Sequence, residues 1–133
     1  MPQGTRPPIL VVEDSSDLRE FMTYALTDAD FVVHGVADGA EALEYLADGA
    51  PAVVILDLML PVINGLRVLE EVRQHPRLAR VPVLVTTGTM CSEGELRLAG
   101  ATAVLRKPFE GPRLVATVRA ILATSKFAAS KTV

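Results

Sequence analysis

The sequence holds a single cysteine, Cys91, among its 133 residues. One thiol excludes an internal disulfide and any thiolate metal cluster within one chain, and it fits a reducing compartment. Positive charge is also scarce: 13 Lys and Arg stand against 16 Asp and Glu, for a formal net charge of -3. These cations are scattered, so no basic footprint marks direct contact with nucleic acid. No run approaches the roughly 18 consecutive apolar residues of a membrane span. The opening Met-Pro-Gln-Gly-Thr-Arg-Pro-Pro lacks a signal-type apolar core. There is no fixed-period repeat and no low-complexity block. The expectation is a cytoplasmic protein that engages neither membrane nor nucleic acid directly.

What is present suffices for one core, since 50% of the residues are hydrophobic. The reading is a flexible N-terminal arm over 1–8, one domain over 9–123 and a polar, frayed C-terminal tail over 124–133. Within the domain, Ala52-Val-Val-Ile-Leu-Asp57-Leu-Met-Leu-Pro61 is an apolar run of the kind that forms a strand buried on both faces. It delivers one carboxylate, Asp57. Burying an unpaired carboxylate costs several kcal/mol, so Asp57 belongs at an exposed strand end, beside a cation, or on a metal.

Taken in order, Ile9–Val12 is a first strand running into Glu13-Asp14-Ser15-Ser16, a helix-capping turn. Leu18, Phe21, Met22, Ala25 and Leu26 have the spacing of a helix with one buried face, ending near Asp28. Phe31 to Val36 predicts a second strand, and Ala40 to Ala47 a second helix with Gly49 as C-cap. After the Asp57 strand, Asn64 caps a third helix that Pro76 bars from continuing. Pro82 to Val85 is a fourth strand ending at Thr86-Thr87-Gly88. A short fourth helix over Ser92 to Ala99 contains Gly94, which costs about 1 kcal/mol relative to Ala. Ala103 to Arg106 is a fifth strand stopped by Lys107-Pro108, and Leu114, Val115, Val118, Ile121 and Leu122 pattern a last helix. Five strand–helix alternations predict an α/β fold: a doubly wound, five-stranded parallel sheet with helices on both faces.

In such sheets ligands bind beyond the carboxyl ends of the strands. Those ends carry Glu13-Asp14, Asp57, Thr86-Thr87 and Lys107. Each residue has a plain structural reading: a turn-capping aspartate, a helix N-cap, a solvated turn lysine, a strand threonine. Their gathering at one edge is what carries chemistry. Each carboxylate pair at about 4 Å costs on the order of 4 kcal/mol at an effective dielectric near 20. Oxygen ligands without nearby His or Cys suit a hard cation such as Mg2+. His34 and His75 have no partner at ligand spacing and are expected at the surface. Between a metal and the Lys107 ammonium, Asp57 stays ionised and is placed to act as a nucleophile on phosphorus, giving an aspartyl phosphate.

Val11-Val12-Glu13-Asp14, Leu56-Asp57-Leu-Met-Leu-Pro61, Asn64-Gly65, Pro82 to Gly88, Gly100-Ala101 and Lys107-Pro108-Phe109 follow in this order over roughly 9 to 123. The combination resembles the receiver domain of bacterial two-component response regulators. The resemblance implies a flavodoxin-like sheet of order 2-1-3-4-5 and a phosphorelay role. Asp57 would take phosphate from a phosphohistidine of a sensor histidine kinase or phosphotransfer protein. Asp14 and Asp57 would hold Mg2+ directly, Glu13 largely through water, and Met59 through its main-chain carbonyl. Thr87, five residues after Pro82, would hydrogen-bond one phosphoryl oxygen and Lys107 would pair with another, while Gly88 lets the backbone approach. The chain would be no enzyme beyond catalysing its own phosphorylation and dephosphorylation. Its length leads to the expectation of a single-domain regulator signalling through helix four, strand five and helix five to a protein partner. The resemblance also implies pairing of two copies through that face on activation, a face to which Arg97, Arg106 and Arg119 belong.

Two positions depart from the family pattern. Val104 stands where receivers usually carry Tyr or Phe, and Met59 stands where a polar side chain can guide the hydrolytic water. The first motivates a rival reading, a receiver-like interaction module independent of phosphorylation. A third reading, an aspartyl-phosphate phosphatase, is disfavoured because Met59 occupies the place of the general acid.

Overall fold

The β-branched runs become strands, and the apolar stripes between them become helices. In the computed structural model, which describes residues 7–88 and 92–131 with side chains through 124, the order is β1 (Ile9–Val12), α1 (Ser16–Asp28), β2 (Val33–Val36), α2 (Gly39–Asp48), β3 (Val53–Asp57), α3 (Gly65–Gln74), β4 (Val83–Thr87), α4 (Glu93–Leu98), β5 (Ala103–Arg106) and α5 (Gly111–Lys131). The strands form one sheet in the order β2-β1-β3-β4-β5, every pair parallel. This is the doubly wound, flavodoxin-like α/β arrangement that the alternation and the resemblance led us to expect.

Strand alternation divides the core in two. Leu10, Val12, Val54, Leu56, Val83 and Val85 pack under Ala42 and Leu46 of α2, Val68, Leu69 and Val72 of α3, and Leu96 of α4. Ile9, Val11, Val53, Ile55, Leu84 and Leu105 pack under Met22 and Leu26 of α1 and Leu114, Val118 and Ile121 of α5. Both faces of the central strands are covered, which is why β1, β3 and β4 are buried throughout.

Two caps fix the helices nearest the strand ends. Ser15 Oγ accepts from the Leu18 amide at 3.2 Å, and Asn64 Oδ1 accepts from the Arg67 amide at 3.0 Å. Such caps contribute about 1 kcal/mol each.

The elements differ from the sequence reading at their ends. Phe31 and Val32 precede β2, and β4 runs on through Thr86 and Thr87, whose partners are Asp57 on one side and Leu105 and Arg106 on the other. Helix α5 continues to Lys131, well into the span expected as a tail. No Gly or Pro follows Pro112 within it, and its last turns are rich in alanine. Cys91 and residues 1–6 of the arm lie outside the described residues.

Candidate functional site

Parallel strands all end at one edge, and this edge collects Glu13 and Asp14 after β1, Asp57 at the end of β3, Thr86 and Thr87 at the end of β4, and Lys107 after β5. One carboxylate oxygen from each of Glu13, Asp14 and Asp57 lies within 4.8 Å of the others. Asp57 is 3% exposed and Glu13 is 1% exposed, whereas Asp14 is open to solvent. The cluster therefore has two buried members and one at the surface.

Local structure holds the two buried carboxylates. The Met59 amide donates to Asp57 Oδ1 at 3.2 Å, and the Ser15 amide donates to Glu13 Oε2 at 3.2 Å. Arg19 reaches back from α1 to donate Nη1–H to the Glu13 carbonyl oxygen at 2.7 Å. Gly65 explains the Asn64-Gly65 pair: a Cβ there would overlap the Asp57 carbonyl oxygen and lie 2.6 Å from Leu58 Cα, so only glycine lets α3 start against the exit of β3. The Gly65 amide closes that turn on the Leu58 carbonyl at 3.0 Å.

Lys107 supplies the counter-charge. Its Nζ lies 3.0 Å from Glu13 Oε1 and 3.3 Å from Asp57 Oδ2, with the side chain 24% exposed. Glu13 Oε1 has no directed hydrogen bond and relies on this ion pair. Burial pushes the Glu13 carboxyl above its ordinary value, and the nearby charge of Asp57 adds to the effect; Lys107 and the Ser15 amide only partly offset it. For Lys107, burial works to lower the value, but its close pairing with Glu13 and the charge of Asp57 outweigh it, and the ammonium is held above its ordinary range. The Lys107–Pro108 peptide bond is cis.

Thr87 is fully buried on the face shared with Val85 and Val104. Val104 is half-buried there, opposite Val85 in the register. The Met59 side chain is 66% exposed, so its apolar surface borders the site. Among the described residues, a Cβ at Gly88 would meet Lys107 Cβ at 3.9 Å, an ordinary contact, so packing against them does not require glycine there.

Glu13, Asp14, Asp57 and Lys107 are thus brought together, with the Met59 amide on Asp57, while Thr87 ends the adjacent strand on the opposite face. Three further contributors escape a sequence reading. The Arg19 guanidinium meets the Glu13 carbonyl and the Ser15 amide meets the Glu13 carboxylate, so one partner in each contact is a main-chain group that leaves no side-chain pattern to find. Thr86 reads as an ordinary β-branched strand residue, yet it is 1% exposed with its Oγ1 unpartnered among the described residues. An unpaired buried hydroxyl costs about 1–3 kcal/mol. His34 and His75 are exposed as expected, His34 stacking on Tyr45 with ring centroids 4.6 Å apart.

Comparison with known proteins places this geometry. A family model for the response regulator receiver domain matches residues 9–119. The chain is 34% identical over 122 residues to the phosphate regulon transcriptional regulatory protein PhoB of Rhizobium meliloti, covering 90% of this chain and 54% of that protein. It is 34% identical over 116 residues to the transcriptional regulatory protein HprR of Escherichia coli, covering 86% of this chain and 51% of that one. A sensor histidine kinase, TmoS of Ectopseudomonas mendocina, matches at 33% over 118 residues, 87% of this chain but 12% of the kinase. Among solved structures, the chemotaxis response regulator CheY4 of Vibrio cholerae superposes with a TM-score of 0.82 at 31% identity, covering 88% of this chain and 99% of that one. The chain spans about half the length of the two transcriptional regulators it matches.

Proposed function

The chain belongs to the receiver domain family of response regulators, and from that membership we propose that Asp57 accepts a phosphoryl group from a phosphohistidine of a sensor histidine kinase or phosphotransfer protein, with Mg2+ as cofactor. One observation carries the reading: a single ammonium, Lys107 Nζ, lodged against both buried carboxylates at 3.0 and 3.3 Å. In the transfer, an Asp57 carboxylate oxygen forms the new P–O bond as the donor's P–N bond breaks, and the electron pair returns to the imidazole nitrogen. Asp57 enters as the carboxylate partner of Lys107, so no base is needed to activate it. Charge spread over the phosphoryl oxygens is met by the Lys107 ammonium and the Thr87 hydroxyl.

Glu13, Asp14, Asp57 and the main-chain carbonyl of Met59 would hold Mg2+. The donor set fits: the clustered groups are all oxygen ligands, with one carboxylate open to solvent and two buried. When bound, the ion supplies positive charge beside the transferring group. The site's turnover is confined to its own phosphorylation and dephosphorylation, since Met59 gives no acid to expel the leaving group of a phosphate ester. Signalling runs to a protein partner through α4, β5 and α5. Val104 offers no aromatic ring, so the response does not depend on one at that position.

The test is incubation with Mg2+ and acetyl phosphate followed by intact mass spectrometry. The expected result is a gain of one phosphoryl group on the wild type and none on Asp57→Asn. No adduct under conditions that label a control receiver overturns the proposal and favours the phosphorylation-independent module that Val104 suggests.

A further inference from the structure

Thr86 Oγ1 is buried and has no hydrogen-bond partner among the described residues. In the sheet register Thr86 stands opposite Asp57 on β3 and opposite Leu105 on β5. Alternation sends it to the face of Leu84, and sends Asp57 to the face of Ile55, both in the core beneath α1 and α5. Lys107, two residues beyond Leu105, shares that face. To reach Asp57 on β3 and Glu13 just past β1 from the end of β5, its side chain has to cross β4. The residues of that face at the end of β4 are Thr86 and Gly88, and Gly88 has no side chain. The lysine therefore crosses β4 at the level of Thr86 and Gly88, its Cβ 3.9 Å from where a Gly88 Cβ would stand. A valine has the same shape as threonine and would fill this space without stranding a hydroxyl, so packing does not account for threonine.

We propose that Thr86 is a positioning residue for phosphoryl acceptance: its hydroxyl oxygen accepts a hydrogen bond from the Lys107 ammonium when that ammonium leaves Asp57 Oδ2 for an incoming phosphoryl oxygen. The inference rests on Asp57 being the phosphoacceptor. An ammonium offers three N–H donors. With Asp57 converted to an acyl phosphate, Glu13 and Thr86 hold two of them and the third meets the phosphoryl group. The ammonium keeps its place over the strand ends throughout the transfer.

Wild-type chain, Thr86→Val and Thr86→Ser are compared with acetyl phosphate as donor at saturating Mg2+, following the rate of labelling at Asp57. Mg2+ affinity by calorimetry and the thermal midpoint in chelator are measured alongside. Thr86→Val is expected to melt no lower than wild type, to bind Mg2+ as wild type does, and to label about tenfold more slowly, the loss of one hydrogen bond to a charged group. Thr86→Ser is expected to restore the rate. Wild-type labelling by Thr86→Val overturns the inference. Equal slowing in Thr86→Ser overturns it too, because the hydroxyl is still there, and so does a parallel loss of Mg2+ affinity, which would trace to the carboxylates. An unlabelled wild type, beside a control receiver that labels, overturns the phosphoacceptor reading itself.

Discussion

Glu13 is an almost fully buried carboxylate, and burial lifts its pKa above the ordinary 4.5 despite Lys107 and the Ser15 amide. The folded chain therefore takes up this proton more readily than the unfolded chain. The stability linked to it is fully present below the ordinary value and lost as pH rises through the raised one. Above that raised value, without a divalent cation, the buried Glu13 charge weighs against the fold. Glu13→Gln is accordingly expected to raise the thermal midpoint in chelator at pH 7 by about 3 °C, with the gap closing as the solution is acidified. Thermal melts across pH check this, and a lower midpoint for the variant at pH 7 would refute it. Lys107 acts at the other end of the scale: its stabilising contribution is complete below 10.5 and lost as pH rises through its raised value. At this scale the sequence made the identities of Glu13, Asp57 and Lys107 legible, because each ends a strand. It did not make their burial legible, because the depth of a strand-end side chain depends on the helices packed above it.

Among the elements, Arg73 at the last turn of α3 ties together parts of the chain that the sheet alone does not join. Its Nε–H donates to the Gly100 carbonyl at 2.9 Å, and its Nη1 donates to the carbonyls of Ala79 at 3.0 Å and Val81 at 2.7 Å. Burial lowers its pKa. The guanidinium thus fastens the end of α3 to the β4 approach and to the turn after α4, where Gly100 has φ 118°. Arg73→Met leaves these carbonyls without their donor and is expected to cost about 2–3 kcal/mol, read from denaturant melts. Hydrogen exchange is expected to rise around 79–81 and 100–102 while Asp57 still labels; unchanged stability would refute the role. A helical arginine reads in sequence as a solvated charge, and only the fold reveals the carbonyls it meets. Element types were legible from periodicity and caps, as Ser15 and Asn64 illustrate. Ends were less so: Thr86 and Thr87 extend β4 because neighbouring strands offer partners, which local sequence does not encode.

For the whole molecule, the sheet order decides that residues far apart in sequence meet at one edge, and the charge gathered there is mostly negative. If Mg2+ binds that edge in the folded chain and not in the unfolded one, it stabilises by about 2.7 kcal/mol at a hundredfold excess over its Kd. Thermal melts with increasing Mg2+ are expected to show a rising midpoint in the wild type and a much smaller rise in Asp57→Asn; a wild-type midpoint indifferent to Mg2+ would count against the metal site. The doubly wound fold was legible because five alternations leave few topologies. The crossing of β4 by Lys107 was not, since it depends on which strand lies between two others.

That crossing also bears on how the protein is made. Glu13, Asp57 and Lys107 stand at the carboxyl ends of the first, third and fifth strands, and synthesis delivers them in that order. A nascent chain that has folded as far as β4 would already hold its carboxylates, still lacking the ammonium that balances them. The reactive centre is complete only when the last strand docks, so an unfinished chain would emerge from the ribosome without a working acceptor.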